Sequence, residues 1–243
     1  MFSLEALVLC IQSFAVVNSC TSFFQGGTSS KAKSSDGAGL DDNIPEKELN
    51  LISSNQDGRI ILDLYYETLC PDSRSFILRQ LEPAVEQIAD IFSINYIPYG
   101  KARTYKDDDY TFRCQHGPLE CQGNIYHACS NNYIEDSGKK FEFIRCMMMD
   151  NYDPEAAARR CGSEYTLEIE PIVQCARGPE GKQLLAHAGR LTSKLNPKMT
   201  FVPTILLNRK HHSQRQILRN LKSEICRHYK ASNGTNIPEN CVL

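Results

Sequence analysis

The sequence carries no excess of charge of either sign. Lys and Arg total 27 against 29 Asp and Glu, a formal net charge of −2. That balance excludes the basic footprint of a nucleic-acid-binding protein and gives no general pull toward an anionic membrane. Positive charge clusters in one stretch, NRKHHSQR from Asn208 to Arg215, which reads as a solvated loop. No segment reaches the roughly 20 apolar residues that a membrane-crossing helix needs, so no membrane span is expected. No internal repeat is visible either. Most pointed is a missing cysteine: in LYYETLCPDSRSFI (Leu64 to Ile77) a cysteine stands between strand-like and helix-like residues, and the position three further on is Ser73.

Cysteine itself is plentiful, 11 in 243 residues. The apolar stretch from Ala6 to Val17, interrupted by Gln12, is too short to span a bilayer and suits the core of a secretory signal peptide, although Glu5 replaces the usual basic flank. Val17 and Ser19 permit cleavage before Cys20, and a cut a few residues later fits as well. Residues 1–19 are therefore expected to be a signal peptide. Residues 20–57, rich in Ser, Gly, Asp and Lys, bury too little apolar surface to order themselves and are expected to be a flexible leader. An exported chain preserves disulfides, and Asn233, in Asn-Gly-Thr, is a glycosylation acceptor consistent with that route.

The folded domain is expected over 58–243. Ile60 to Tyr66 is rich in β-branched and aromatic residues and reads as a buried strand. Pro71 suits a first helical turn. Ile77, Leu81, Ala84, Val85 and Ile88 keep helical spacing, with Pro83 expected to kink the helix. IFSINYIPYG is a second strand. From about 101 to 196 come helical runs punctuated by cysteines; TFVPTILLNRK then supplies a short strand entered through Val202 and Pro203. QRQILRNLKSEICRHY reads as one last helix with Ile217, Leu218, Leu221, Ile225 and Tyr229 on one face. Strand, helix, strand, insertion, strand, helix is an α/β order: a thioredoxin-like fold with a cysteine-rich, mainly helical insertion.

In such a fold Cys70 begins a helix, where backbone N–H groups and the positive dipole end favour its thiolate. An unperturbed thiol would be ionised to only about three parts in ten thousand at pH 5. Asp72 disfavours the anion and Arg74 favours it. Ser73, one turn along, is placed to donate a hydrogen bond to the thiolate but cannot attack a mixed disulfide to release product. A cysteine after a strand is also, commonly, a small buried apolar residue or half of a disulfide. Parity bears on this. If Cys10 and Cys20 leave with the signal, nine remain: Cys70 and the eight expected to form structural disulfides, Cys114, Cys121, Cys129, Cys146, Cys161, Cys175, Cys226 and Cys241. If Cys20 stays, parity no longer singles out Cys70. Eight cysteines allow 105 pairings; a local one, Cys226 with Cys241, would tie the tail to the last helix. Val202 and Pro203 are candidate substrate-binding residues: a cis-proline before a strand packs opposite the redox cysteine in thioredoxin-like folds, though trans is the common form of such bonds.

CQHGPLECQGNIYHAC (Cys114 to Cys129) resembles the signature of the gamma-interferon-inducible lysosomal thiol reductase (GILT) family, C-Q-H-G-x-x-E-C-x-x-N-x-x-x-x-C, at Cys114, Gln115, His116, Gly117, Glu120, Cys121, Asn124 and Cys129. The resemblance runs from about Ile60 to Cys241. It implies a thioredoxin-like fold with a helical insertion, entry into the secretory pathway, and reduction of protein disulfides in endosomes or lysosomes. It puts the family's nucleophile on Cys70 and its second active-site cysteine on Ser73. The expected function is a thiol–disulfide oxidoreductase, reductase or isomerase in type, acting through one nucleophilic cysteine on disulfide-containing proteins in a secreted, endosomal or lysosomal setting. No cofactor is expected beyond an external small thiol. A binding protein without redox turnover is the alternative. The spacings of Cys114, Cys121 and Cys129 do not match zinc knuckles, so no metal is expected. His116 and Glu120 have two readings, acid–base chemistry or the orienting of a cysteine-linked turn; His127, His211 and His212 read as surface or packing residues.

Overall fold

The computed structural model describes residues 58–233 and 238–241; the expected signal peptide and leader lie outside the described residues. β1 (Ile60–Tyr66) is buried at every position, as a strand covered on both faces must be. It pairs in parallel with β2 (Phe92–Pro98), Ile60 opposite Phe92 and Tyr66 opposite Pro98. The crossover between them is helical. α1 (Pro71–Phe76) leads into a π-helical turn, Ile77–Leu81, and then α2 (Glu82–Ile88). The π turn answers the question Pro83 posed. Proline has no N–H to give and its ring crowds the preceding turn; the chain widens just before it, with Glu82 N–H reaching back five residues to Ile77 O.

The block after β2 opens with an antiparallel hairpin, β3 (Arg103–Lys106) and β4 (Tyr110–Arg113), where the sequence suggested helical runs. Its strands are four residues long and mostly exposed, too short for the alternation of β4 to stand out. Five helices follow: α3 (Pro118–Tyr133), α4 (Ser137–Met149), α5 (Pro154–Glu164), α6 (Glu170–Arg177) and α7 (Pro179–Ser193). β5 (Thr204–Leu207) then returns antiparallel beside β1 and is followed by β6 (Lys210–His211), giving the sheet order β2-β1-β5-β6. The last segment is not one helix. α8 (Gln214–Ile217) stops before α9 (Leu221–Asn233), and the freed Leu221 N–H is taken by Gln80 Oε1 from the π turn at 3.3 Å. Ile217, Leu221 and Ile225 are buried on either side of the break.

Among the described residues four disulfides hold the frame: Cys114–Cys121, Cys129–Cys175, Cys146–Cys161 and Cys226–Cys241. The second joins α3 to α6 and the third α4 to α5; the fourth ties the end of the chain to α9. Among the described residues no helix is long and apolar enough to cross a membrane.

Candidate active site

The sheet register decides where the site lies. β1 ends at Tyr66, and Thr204 at the start of β5 pairs with Tyr65. Because β5 runs the opposite way, Val202 and Pro203 sit at the same end of the sheet as the loop Glu67–Cys70 that leaves β1. The Val202–Pro203 bond is cis, and both residues are buried. Cys70 caps α1 with extended backbone, and its C=O accepts the first helical N–H, from Arg74, at 3.0 Å. It is the free cysteine among the described residues.

Two clefts flank α1. The first, about 540 Å³, is lined by Leu69, Pro71, Arg74, His116, Asn151 and Tyr152 among others. The second, about 480 Å³, lies between α1 and the residues Phe201, Val202, Pro203 and Leu218. Ser75 and Arg79 line both. Cys70 itself is 6% exposed. Beside it, the end of α4 holds α1: the Met149 carbonyl accepts from Arg74 Nη2 at 2.8 Å. Ser73 differs from expectation. It is fully buried, and its Oγ accepts from the Glu67 N–H at 3.4 Å; no bond to the Cys70 sulfur forms among the described residues. A buried N–H demands an acceptor, and that demand sets the serine's orientation.

The signature residues prove to be the mount for this loop. Asn124 and Glu120, one turn apart on α3, both face it. Asn124 Oδ1 accepts from Thr68 N–H at 3.0 Å, and the Glu120 carbonyl accepts from Thr68 Oγ1 at 3.2 Å. Asn151, just past α4, donates to the Thr68 carbonyl. Between Glu120 and Asn124 lies Gly123, where a Cβ would come within 2.6 Å of Thr68 Oγ1; only glycine lets helix and loop approach so closely. Cys114 and Cys121 close a short loop around the start of α3, carrying exposed Gln115, His116 and the cap residue Gly117. Cys129, further along α3, is fully buried in its link to α6.

At the cleft wall a second cluster forms. His116 Nδ1 lies 2.5 Å from Glu120 Oε2 and 3.5 Å from Glu67 Oε2, while Glu120 Oε1 accepts the His116 N–H at 3.1 Å. Both carboxylates are fully buried; the imidazole keeps 32% of its surface exposed. Burial pushes the Glu67 carboxyl above its usual range, with Glu120 adding to the push, while the Lys101 N–H (2.6 Å from Oε1) and His116 oppose it. Gly100, at φ +58, folds directly over this side chain: a Cβ there would lie 2.2 Å from Glu67 Cγ. One donor atom from each of Glu67, His116 and Glu120 lies within 4.8 Å of the others, a set with the chemistry to hold a divalent cation.

Sequence reasoning gave no role to Glu67, Thr68, Gly100 or Gly123. The available signal was Glu67-Thr68 itself, two adjacent polar residues between a largely apolar strand and the cysteine. His127, read as a surface or packing residue, is buried and bonded through Nδ1 to Tyr66 Oη at 2.8 Å; burial holds its pKa down to about 3. His212 packs its ring on His228 at 4.0 Å. Asn233 Nδ2, the atom a glycan would take, donates to Gly58 O and Tyr229 O; Thr235 lies outside the described residues.

A family model described as gamma interferon inducible lysosomal thiol reductase (GILT) matches residues 61–165. GILT-like protein 1 of Drosophila melanogaster is 36% identical over 195 residues, 71% of this chain and 76% of that protein. The gamma-interferon-inducible lysosomal thiol reductase of Mus musculus is 34% identical over 184 residues, 74% and 71% of the respective chains. Among solved structures, oxidised BdbD from Bacillus subtilis is similar with a TM-score of 0.53 at 14% identity, covering 73% of this chain and 91% of that one. This likeness is one of fold, and the fold is the thioredoxin-like one expected from the order of elements.

Proposed function

The chain belongs to the gamma-interferon-inducible lysosomal thiol reductase family, and we propose that it is a thiol–disulfide oxidoreductase whose chemistry rests on one sulfur, that of Cys70. The observation that carries this reading is the pairing of cysteines: among the described residues eight are joined to one another, and the one left free begins α1, at the end of the sheet where Val202 and Pro203 also lie. Cys70 Sγ attacks one sulfur of a substrate disulfide, and the other sulfur departs as a thiolate. With serine at position 73, the resulting mixed disulfide is opened by an external small thiol or by another thiol of the substrate. Repeated thiol exchange or isomerisation therefore suits the site better than unaided net reduction. The clefts on either side of α1 suit an extended polypeptide, with the backbone of Val202 and the ring of Pro203 along one wall. We assign no cofactor beyond the external thiol. The apolar N-terminal stretch and the family together support a secreted, endosomal or lysosomal location.

A second reading, a binding protein on the same scaffold without turnover, draws on Ser73 and on the burial of Cys70. One assay separates the two. The purified protein is mixed with a fluorescent disulfide-bonded peptide and a small thiol at pH 5 and pH 7, alongside Cys70→Ser. Exchange is expected to vanish in the variant, and a mixed disulfide at Cys70 should be trapped in the parent; equal rates end the enzyme reading. Ser73→Cys is expected to raise net reduction, by supplying the missing resolving thiol one turn from Cys70.

A further inference from the structure

Resting on the exchange chemistry above, we propose that His116 is its acid–base group: Nε2 hands a proton to the sulfur that leaves the substrate, and later takes one from the incoming thiol. In the first step the Cys70 thiolate forms a bond to one substrate sulfur, the substrate S–S bond breaks, and its electron pair leaves on the second sulfur, which takes the imidazolium proton. In the second step the neutral imidazole removes the proton of an external small thiol. That thiolate attacks the substrate sulfur of the mixed disulfide and restores Cys70 as thiolate. Protein and imidazole end as they began. The substrate disulfide has been exchanged for one with the small thiol, and a second thiol completes the reduction.

The geometry points to this ring and to this nitrogen. Two carboxylate oxygens address Nδ1, Glu120 Oε2 at 2.5 Å and Glu67 Oε2 at 3.5 Å. Acceptors there place the hydrogen on Nδ1, which makes Nε2 the nitrogen that gains and loses a proton. Nε2 has no hydrogen-bond partner among the described residues, and the ring lines the first cleft together with Leu69 and Pro71, the residues on either side of Cys70. The arrangement follows the logic of a base oriented by an acid behind it. It is also rigid relative to the nucleophile. Glu120, which grips the ring and the His116 N–H, receives Thr68 Oγ1 on its own carbonyl, two residues before Cys70. Ser73, the other group close in sequence, is fully buried with its oxygen on the Glu67 N–H.

Leaving groups give the test. Reduced protein is reacted, in EDTA, with two neutral disulfides: dithiodipyridine, whose departing sulfur needs no proton, and 2-hydroxyethyl disulfide, whose alkyl thiolate is a poor leaving group. Formation of the Cys70 adduct is followed by rapid mixing and mass measurement. His116→Gln is expected to slow the alkyl reaction by roughly 100-fold, the lower range for a lost general acid, and to leave the aromatic reaction nearly unchanged. Glu120→Gln, which keeps the ring but weakens its orientation, should show the same selectivity in smaller degree and serves if the first variant does not fold. Equal slowing of both disulfides, which a purely structural role would produce, overturns the proposal, as does an unchanged alkyl rate. Loss of the parent rate in EDTA overturns it in favour of a metal held by Glu67, His116 and Glu120. A parent protein inert toward both disulfides would defeat the exchange reading first, and this inference with it.

Discussion

Replacing His127 with glutamine tests how burial governs this fold's tolerance of acid. The ring lies under α3 against Tyr66, is 1% exposed, and has its pKa lowered from 6.5 to about 3 by loss of solvation. Above pH 6.5 it is neutral in both folded and unfolded chains. As pH falls, the unfolded chain takes up the proton first, so unfolding becomes coupled to proton uptake and stability drops until the folded pKa is reached. At about 1.4 kcal/mol per pH unit below 6.5, this one group removes about 2 kcal/mol between pH 7 and pH 5. The assay is urea unfolding of parent and His127→Gln at both pH values, disulfides intact. Effects of Glu67, Asp63 and His187, whose carboxyls are held high and whose imidazole is held low by burial, are common to the two proteins and cancel in the difference. The parent should lose about 2 kcal/mol more than the variant on acidification. The same loss in both would refute the argument that the buried ring stays neutral.

Two further outcomes follow from the mount of the Cys70 loop. Gly123→Ala should destabilise the chain by about 1–3 kcal/mol, as overpacking does, and should slow exchange at Cys70 by displacing Thr68; melting and alkylation of the thiol measure the two effects. Removing disulfides should separate stability from activity. Replacing Cys129 and Cys175 with alanine frees a sequence span of 46 residues and should cost about 4 kcal/mol by loop entropy, whereas removing Cys114–Cys121 should cost only about 2.5 kcal/mol. The smaller staple should nevertheless lower the exchange rate more, because it holds the turn bearing His116; parallel denaturation and turnover measurements check the reversal.

The frame was legible in the sequence because its signals are local. β1 runs from Ile60 to Tyr66 as its β-branched and aromatic content suggested, and Cys70 follows at the start of a helix marked by Pro71. The Cys226–Cys241 link joins residues 15 apart, but nearness alone did not single it out, since Cys114–Cys121 spans 7 and Cys146–Cys161 also 15. Other features depend on distant partners. The hold on α1 through Arg74 depends on where α4 ends, 75 residues later in the chain. The orientation of Ser73 depends on a backbone N–H left without a partner in the sheet. The hairpin β3–β4 is too short for its alternation to stand out, and the break between α8 and α9 is met by Gln80 reaching across from another helix. His116 and Glu120 were visible as a pair; the third member, Glu67, is brought to them from the loop after β1 by folding alone.

The hydrogen bonds of Thr68 have a consequence for how this architecture can be divided. All three of its polar groups are satisfied by side chains or backbone of the inserted block: Asn124 at the nitrogen, Glu120 at the hydroxyl, Asn151 at the carbonyl. Cutting the molecule down to its sheet and flanking helices would strand those groups beside the sulfur, each lost bond costing on the order of 1–3 kcal/mol if it stayed buried. The part that sequence order presents as an appendage is, in space, one half of the socket, and no smaller ancestor-like core can be carved from this chain with its chemistry intact.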